Sequence, residues 1–471
     1  MPSQPRVATG VMNEFLGVDV GDRRVDARVG QVVERIAAAP DASFPTQMGG
    51  DAELEALYRL LGNERVTADR LLAPHVEKTL ARIGDHAVVR VVHDTTQFHF
   101  RGDRDGLGLI HADAKGMFGH FALAVAGDDV REPLGVLDVA TFINTDVDVH
   151  RGKSRAERNK VGASKPRAET KASRWERQAL LTANQLPAGV HGIHVMDQEA
   201  DDFSVFHALA AENVSFVIRA TPTRLTKDRD TLASVLALQP TETFRSVPIT
   251  ARTKKQATKQ HPARDERTAK LHVRWGAVEL SRVEKKLRCG GELSLRAVHV
   301  FEPEAPAGEA PIEWMLLTNE PVDSLETATA VVDHYRARWL VEEYFKSLKT
   351  GCAFEKRQLC SREALERALA LLVPVAWELL RLRHLARNDR ERPATDVFTA
   401  QQLTLLRVLL NARRYRLATE PNVRDAMLGV AALGGHIKNN GDPGWQVLGR
   451  GYQRFLDADE VRTLLERSDQ S

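Results

Sequence analysis

The order of apolar segments between residues 86 and 219 constrains the fold of this chain more than any other feature. Five of these segments are short, apolar and rich in β-branched residues: 86–93, 118–126, 134–141, 192–196 and 214–219. Such runs are typical of buried strands. Helical patterns at 168–184 and 202–211 separate the last three of them. The resulting order of three strands, helix, strand, helix, strand predicts an α/β fold.

Two of the predicted strands run directly into an aspartate. The segment 86–93 leads into Asp94, and the segment 192–196 leads into Asp197. Sites in α/β proteins are commonly built at the carboxyl ends of strands. A lone aspartate after a strand is more often a helix cap or a turn former. Two such acids in one sheet are harder to explain in that way, and a third partner would favour a site.

A third acid lies in a segment that contains neither proline nor glycine, and this segment predicts a helix over about 327–350. On a helical wheel, Tyr335, Arg338, Glu342 and Lys349 fall on one narrow stripe. A carboxylate among cations and a phenol is a candidate site for metal and phosphate. The alternative is a solvated face with charge pairs at i,i+4, such as Arg338 with Glu342.

Three converging carboxylates need cations to remain ionised together. Their hard oxygen ligands favour Mg²⁺ or Mn²⁺. Two such ions can activate a water or a 3′-hydroxyl and stabilise the leaving oxygen during attack on phosphorus. Asp94, Asp197 and Glu342 are therefore the predicted catalytic and metal-binding acids of an RNase H-like core that acts on nucleic acid.

The regions around this core are of three kinds. Residues 1–13 predict a disordered lead, and helical patterns follow, including 51–61 and 67–83 with Thr67 as N-cap. Arginines near the start of the first helix suit a DNA-binding module. Alternating patterns predict four strands within an inserted β-subdomain at about 220–318, and helices follow after the core. The predicted domains are 1–84 (helical, DNA-binding), 85–390 (RNase H-like) and 391–471 (helical, dimerisation).

The composition permits a polyanionic partner and does not require one. The net charge is +2 and the sequence pI is about 8.4, but eight Lys/Arg lie within 151–171 and seven within 251–270. Such runs form solvated loops or track phosphates. Three cysteines without a CxxC motif favour a reducing compartment and argue against a structural zinc site. Without a signal-peptide or membrane-spanning pattern, the expected location is the cytoplasm.

The spacing Tyr335-x2-Arg338-x3-Glu342-x6-Lys349 resembles the YREK signature of bacterial DDE transposases of the insertion-sequence-four family. Further stretches resemble that family: Asp94-Thr95-Thr96 its first-acid motif, residues 196–201 its second, and residues 313–322 the strand and turn before the third. Residues 20–28 and 57–63 resemble its N-terminal DNA-binding region, and residues 433–445 its C-terminal domain. The similarity extends over nearly the whole chain.

The resemblance implies a cut-and-paste transposase that binds the inverted terminal repeats of its element. Two chains would form a homodimer that pairs the two DNA ends. Cleavage of double-stranded DNA would pass through a hairpin intermediate before joining to target DNA, in the cytoplasm or nucleoid of a bacterium. The site roles that it implies are metal binding by Asp94, Asp197 and Glu342; phosphate binding by Tyr335, Arg338 and Lys349; base stacking by Trp314; and DNA contacts by Arg219, Arg24 and Arg28.

The sequence departs from the family pattern at a few positions. Gln198 replaces an arginine, Val25 replaces one member of an arginine pair, and Glu64-Arg65 replaces an Asn-Pro-like turn. None of these changes removes a predicted catalytic group. Two other functions remain open: a domesticated, non-transposing DNA-binding repressor or inhibitor, and a stand-alone RNase H-like nuclease. All three acids are present, which counts against the first, and the flanking helical regions count against the second.

Overall fold

A computed structural model of the chain describes residues 8–111, 114–143, 170–252, 263–283, 290–306, 309–437 and 442–468. Most of the basic stretch 151–171, part of the basic stretch 251–270 and Cys289 lie outside these residues. The lead at 1–13 was expected to be disordered, but its second half forms a helix at Ala8–Asn13. That prediction is wrong for residues 8–13, and residues 1–7 lie outside the described part.

Helices and strands alternate through the middle of the chain and give way to helices at both ends. The α-helices are α1 (Ala8–Asn13), α2 (Arg23–Ala38), α3 (Phe44–Gln47), α4 (Asp51–Gly62), α5 (Ala68–Ile83), α6 (Lys171–Gln185), α7 (Phe203–Ala211), α8 (Leu232–Ala237), α9 (Leu325–Arg336), α10 (Trp339–Lys346), α11 (Arg362–Asn388), α12 (Ala400–Asn411), α13 (Val423–Leu433) and α14 (Trp445–Ser468). The strands are β1 (Val88–His99), β2 (Gly108–His111), β3 (Ala114–Ala126), β4 (Pro133–Phe142), β5 (His191–Met196), β6 (Ser215–Ala220), β7 (Glu242–Ile249), β8 (Arg267–Val283), β9 (Gly290–Phe301) and β10 (Glu313–Thr318).

The strands form one sheet in the order β2-β3-β1-β5-β6-β10-β9-β8-β7, and β4 also pairs with β3. β3 is antiparallel to both β1 and β4, whereas β5 is parallel to β1 and β6 is parallel to β5. Helices connect the parallel strands, as parallel pairing requires. This mixed α/β arrangement is consistent with the predicted RNase H-like core.

The four strands predicted between residues 220 and 318 form, but they do not make a sheet of their own. β10 pairs antiparallel with β6, and Leu316 lies opposite Arg219. β9, β8 and β7 then follow by antiparallel pairing. The edge of β6 would otherwise leave backbone groups unpaired. The inserted strands therefore continue the core sheet.

The two faces of the sheet are covered by different helices. On the front face, Val92 and Phe121 belong to a large buried cluster that includes α10 and α11, and the ring centroids of Phe121 and Tyr344 are 5.6 Å apart. On the back face, Trp175 of α6 and neighbouring residues of α7 pack with Met196 of β5. Because side chains alternate along a strand, neighbouring residues of β1 face different helices.

The terminal helices share the front cluster with the sheet. α2 begins after Asp22, whose side chain accepts a hydrogen bond from the backbone N–H of Arg24, and it buries an apolar stripe that includes Val29 and Ile36. Thr67 caps α5, as predicted. Side chains from α2, α11 and α14 belong to one buried cluster. The domain borders near residues 84 and 390 stay a prediction.

The long helix predicted over 327–350 is interrupted. α9 ends at Arg336 and α10 begins at Trp339. Between them, Arg338 N–H donates to the carbonyl of Tyr335 at 3.0 Å, and Val341 N–H donates to that of Arg338 at 3.1 Å. These i→i−3 bonds tighten the chain without proline or glycine. A π-helical turn, Ser347–Gly351, follows α10.

Candidate active site

Asp94 lies within β1 on the front face of the sheet. The strand was expected to end at residue 93, but it continues to His99, so Asp94 is a mid-strand residue opposite Phe121 of β3. It is only 7 % exposed. The pKa of Asp94 is raised to about 7, chiefly by burial; the charge of Arg338 opposes this rise, and the charges of Asp197 and Glu342 add to it. Burial therefore favours the protonated form of this carboxyl group, although Arg338 lies beside it.

Asp197 directly follows β5, which is parallel to β1 with Val195 opposite Val92. The side chain accepts a hydrogen bond from the N–H of Glu199 at 2.8 Å and caps a short 3₁₀ turn. Asp197 therefore has the capping role that is common for an aspartate after a strand, which was the alternative to a role in a site. Burial also raises the pKa of Asp197, and its charge interacts with Arg338 and Glu342. Capping and membership of an acidic cluster coexist in this residue.

Glu342 lies in the first turn of α10 and is linked to Asp94 through an arginine. The Nη1 of Arg338 donates to Asp94 Oδ2 at 2.6 Å and to Glu342 Oε1 at 3.5 Å. Arg338 is largely buried, and Glu342 is 39 % exposed at its side chain. The sequence predicted Arg338 as a phosphate ligand, whereas in the structure it is the counter-charge of Asp94.

The donor set fits a divalent cation by charge and by chemistry. Asp94, Asp197 and Glu342 supply hard oxygens, and a bound cation would offset both the burial and the neighbouring negative charges that raise the pKa of Asp94. In the part of the chain that the structure describes, no three His, Cys, Asp or Glu side chains are arranged to hold a metal ion together. Arg338 instead bridges two of the acids. Arg338 thus contacts Asp94 and Glu342, and Asp197 interacts with both acids and with Arg338 through its charge.

Tyr335, Trp314 and Arg219 form the side of the site next to β6 and β10. The ring centroids of Trp314 and Tyr335 are 5.3 Å apart, with the planes inclined by 70°. Burial raises the pKa of Tyr335, while the charge of Arg338 and both the charge and a side-chain hydrogen bond of Arg219 lower it. The fold therefore brings these predicted residues together from three elements.

Lys349 reaches the other side of the site from the π-helical turn. Its Nζ lies 5.6 Å from the ring centroid of Phe98 on β1. Burial lowers the pKa of Lys349, and the charges of Glu355 and Glu342 raise it. Although the helix is interrupted, Lys349 remains electrostatically coupled to Glu342, as the wheel predicts.

A cavity of about 500 Å³ extends from this site toward the C-terminal helices. Its lining includes Trp314, Tyr335 and Arg338, and also Trp339 and Arg383, which the sequence analysis did not select. Trp339 is 60 % exposed, and its position directly after Arg338 was a visible signal. Arg383 had no such signal, because only the packing of α11 beside α10 brings it here.

The two N-terminal arginines lie away from these side chains in the sequence and on a different element. Arg24 and Arg28 are both exposed on α2. Their helix buries its opposite face, so the arginines point to solvent. This exposure is compatible with the predicted contacts to DNA and does not test them.

Two family models match the chain. Residues 10–66 match a transposase DNA-binding model, and residues 170–376 match a transposase DDE domain model. The matches support a DNA transposase. The DDE match contains Asp197 and Glu342, whereas Asp94 precedes it. A DDE transposase domain implies a polynucleotidyl transferase or nuclease, and such domains typically use divalent metal ions.

One solved structure to which this chain is similar is described as a cryo-EM structure of the piggyBac transposase synaptic complex with hairpin DNA. The identity is 9 %, the TM-score is 0.36, and the match covers 81 % of this chain and 73 % of the other. A likeness at that level carries no argument about this chain. Separately, none of the described helices is both long and apolar enough to cross a membrane.

Proposed function

We propose that this chain is a cut-and-paste DNA transposase of the YREK type, which binds terminal inverted repeats, cleaves them and joins the ends to target DNA. The observation that carries the proposal is the meeting of three acids from distant parts of the chain. Asp94 and Asp197 come from neighbouring parallel strands, and Arg338 links Asp94 to Glu342. Acid clusters in proteins tend to mark functional sites because they are electrostatically unfavourable.

Asp94, Asp197 and Glu342 would hold Mg²⁺ or Mn²⁺, in the expected number of two ions. When bound, such ions make a water or a 3′-hydroxyl a better nucleophile and stabilise the leaving oxygen. Arg338 neutralises Asp94 in the structure. It becomes available to a DNA phosphate once Asp94 has another counter-charge. Arginine suits that role because its planar group can bind two phosphate oxygens.

The remaining residues of the site position DNA in this proposal. Tyr335 and Lys349 lie on either side of Glu342 in sequence and bind the phosphate together with Arg338. Trp314 packs against Tyr335 and offers an indole on which an unpaired base can stack during hairpin formation. Arg219 lies close enough to Tyr335 to lower its pKa and contributes positive charge beside the cleaved end. Arg24 and Arg28 contact the terminal repeat.

The proposal also includes a second copy of this chain as partner and a location in the cell. Two chains would pair two DNA ends as a homodimer, with the C-terminal helices at the interface. The location would be the bacterial cytoplasm, with association to the nucleoid when the protein is bound to DNA. A non-catalytic repressor or inhibitor is less favoured because the chain retains all three acids.

The decisive experiment uses the DNA that flanks the gene as substrate. With Mn²⁺ or Mg²⁺, the wild-type protein is expected to make double-strand breaks with hairpin ends. Glu342→Gln should reduce cleavage by at least about 1,000-fold, since charge stabilisation by the metal is lost, and should leave gel-shift affinity unchanged. Glu326→Gln, an exposed acid in the first turn of α9, is the matched control. Full metal-dependent nicking by Glu342→Gln would refute the assignment.

A further inference from the structure

The residues on either side of Asp94 point to the back face of the sheet, where they enter a buried polar network. The Oγ1 of Thr95 lies 2.8 Å from Nδ1 of His120 on β3. The Nδ1 of His93 lies 3.0 Å from Oε1 of Gln178 on α6. Asp94 itself faces Arg338 on the front. The peptide that carries the acid is therefore held from behind by both of its neighbours.

Gln178 joins the parts of this back-face network. Its Nε2 donates to the carbonyl of His120 at 2.9 Å and to Asp138 Oδ2 at 2.8 Å. Because both of those partners are acceptors, the amide nitrogen must face them and the amide oxygen must face His93. His93 extends the network to β5, with its Nε2 2.9 Å from Nδ1 of His194.

The ring nitrogens have defined roles. Gln178 Oε1 can only accept, so Nδ1 of His93 carries the hydrogen. With the hydrogen of His93 on Nδ1, its Nε2 accepts the hydrogen of His194 Nδ1. The rings of His93 and His194 also stack at 5.1 Å. Hydrogen bonds are thus donated in one direction, from His194 on β5 to His93 on β1 and from His93 to Gln178 on α6.

This polar network lies in a layer of the protein that is otherwise apolar, between the back face of the sheet and its helices. His93 and His194 are fully buried, and His120 and Gln178 are nearly so. Along the same face of β1, Val89 and Val91 pack in an apolar cluster. Burying a polar side chain costs free energy unless the side chain is hydrogen-bonded. Apolar side chains would fill the same space without that cost. Polar groups replace apolar ones directly behind Asp94.

We propose that Thr95, His120, His93 and Gln178 are positioning residues that hold the β1 peptide at Asp94 against the repulsion of the clustered acids. This inference rests on the proposed role of Asp94 as a metal-binding acid. Hydrogen-bonded residues behind a ligand fix its orientation without touching the metal. Here the support acts through the backbone, because the supporting side chains and the carboxylate lie on opposite faces of one strand.

Thr95 offers a mild test, since Thr95→Val removes the hydroxyl at constant shape and Thr95→Ser retains it. Thr182→Val is the matched control: Thr182 is buried on α6, and its hydroxyl donates only to carbonyls within that helix. Two readouts are required. One is amide hydrogen exchange of residues 93–97 in the DNA-free protein, and the other is the Mn²⁺ concentration for half-maximal cleavage of the flanking DNA.

Thr95→Val should raise the Mn²⁺ requirement by about tenfold or more and speed exchange at residues 93–97, with DNA binding unchanged. Thr95→Ser and Thr182→Val should remain within about twofold of wild type in the Mn²⁺ requirement. Wild-type exchange and wild-type Mn²⁺ dependence in Thr95→Val would overturn the inference, as would an equal loss in Thr182→Val. If the wild-type protein does not cleave, the proposed function fails, and exchange at residues 93–97 still decides the positioning role.

Discussion

At the scale of single residues, Arg338 has the most consequential surroundings. One of its nitrogens contacts two acids, and both it and Asp94 are largely buried. A guanidinium at this position relieves repulsion that would otherwise act among three carboxylates. The same arginine is proposed to bind DNA phosphate. Its two roles exclude each other at any one moment, so Arg338 links the charge state of the acids to phosphate binding.

A double-mutant cycle tests this pairing. In metal-free buffer at pH 8, Arg338→Ala should lower the free energy of unfolding by about 3 kcal/mol, because it leaves Asp94 buried without its counter-charge. Combining it with Asp94→Asn should recover most of that loss. Urea unfolding of the four proteins measures the coupling. Lys346→Ala, which removes an exposed cation at the end of α10, should cost less than about 1 kcal/mol. Additive effects of Arg338→Ala and Asp94→Asn would contradict the pairing.

At the scale of secondary-structure elements, a buried carboxylate ties the N-terminal helices to each other and to the sheet. Glu14, just after α1, accepts hydrogen bonds from Arg82 of α5 at 2.8 and 3.0 Å and contacts His75 Nδ1 at 2.5 Å. His75 Nε2 in turn accepts from the N–H of Val136 on β4. Burial alone would raise the pKa of Glu14, but the bonds from His75 and Arg82 outweigh it and lower the pKa to about 2.

The lowered pKa predicts a defined pH dependence. A carboxylate whose pKa is lower in the folded state stabilises the fold above its unfolded pKa, and that contribution is lost as the pH falls toward the folded value. Glu14→Gln should therefore lower the free energy of unfolding by at most about 3 kcal/mol at pH 7. The difference from wild type should shrink between about pH 4.5 and pH 2.

Chemical denaturation at several pH values measures this dependence. Glu55→Gln is the control, because Glu55 forms an exposed i,i+4 pair with Arg59, and such pairs contribute little. A destabilisation by Glu14→Gln that is the same at pH 3 and pH 7 would show that the ionised carboxylate does not hold these elements together.

At the scale of the whole molecule, the arginines proposed to bind DNA and the acids lie on separate elements that share one hydrophobic core. Arg24 and Arg28 are exposed on α2, whose buried face belongs to the same cluster as the front face of the sheet. Recognition and cleavage can then be changed independently, because exposed cations contribute to DNA affinity without contributing to packing.

Replacing both Arg24 and Arg28 with alanine should abolish specific binding to the flanking DNA ends in a gel shift. The melting temperature should remain near that of the wild type, because both side chains are exposed. Alanine at the exposed Arg390 and Arg416 provides a matched loss of two charges. If the Arg24/Arg28 variant binds as wild type does, recognition of the ends lies elsewhere on the chain.

Several parts of the fold and the candidate site were predictable from local pattern. Apolar runs predicted β1, β5 and β6 because buried parallel strands are continuously apolar, and Thr67 was readable as a cap. The spacing of Tyr335, Arg338 and Glu342 placed them on one side of a helix, and they remain together despite its interruption at residues 337–338.

The sequence alone indicated most of the strands and helices and the side chains that could serve as a metal and phosphate site, because those properties depend on neighbours along the chain. It missed the helix at residues 8–13, the full length of β1 and the interruption of the helix at 337–338. The tertiary structure decided which of these side chains contact each other. Sheet pairing places Asp94 beside Asp197 and His120 beside Thr95. Packing of helices on the two faces of the sheet makes Arg338 the counter-charge of Asp94 and brings Gln178 to His93. These contacts join residues far apart in sequence, and local periodicity contains no information about them.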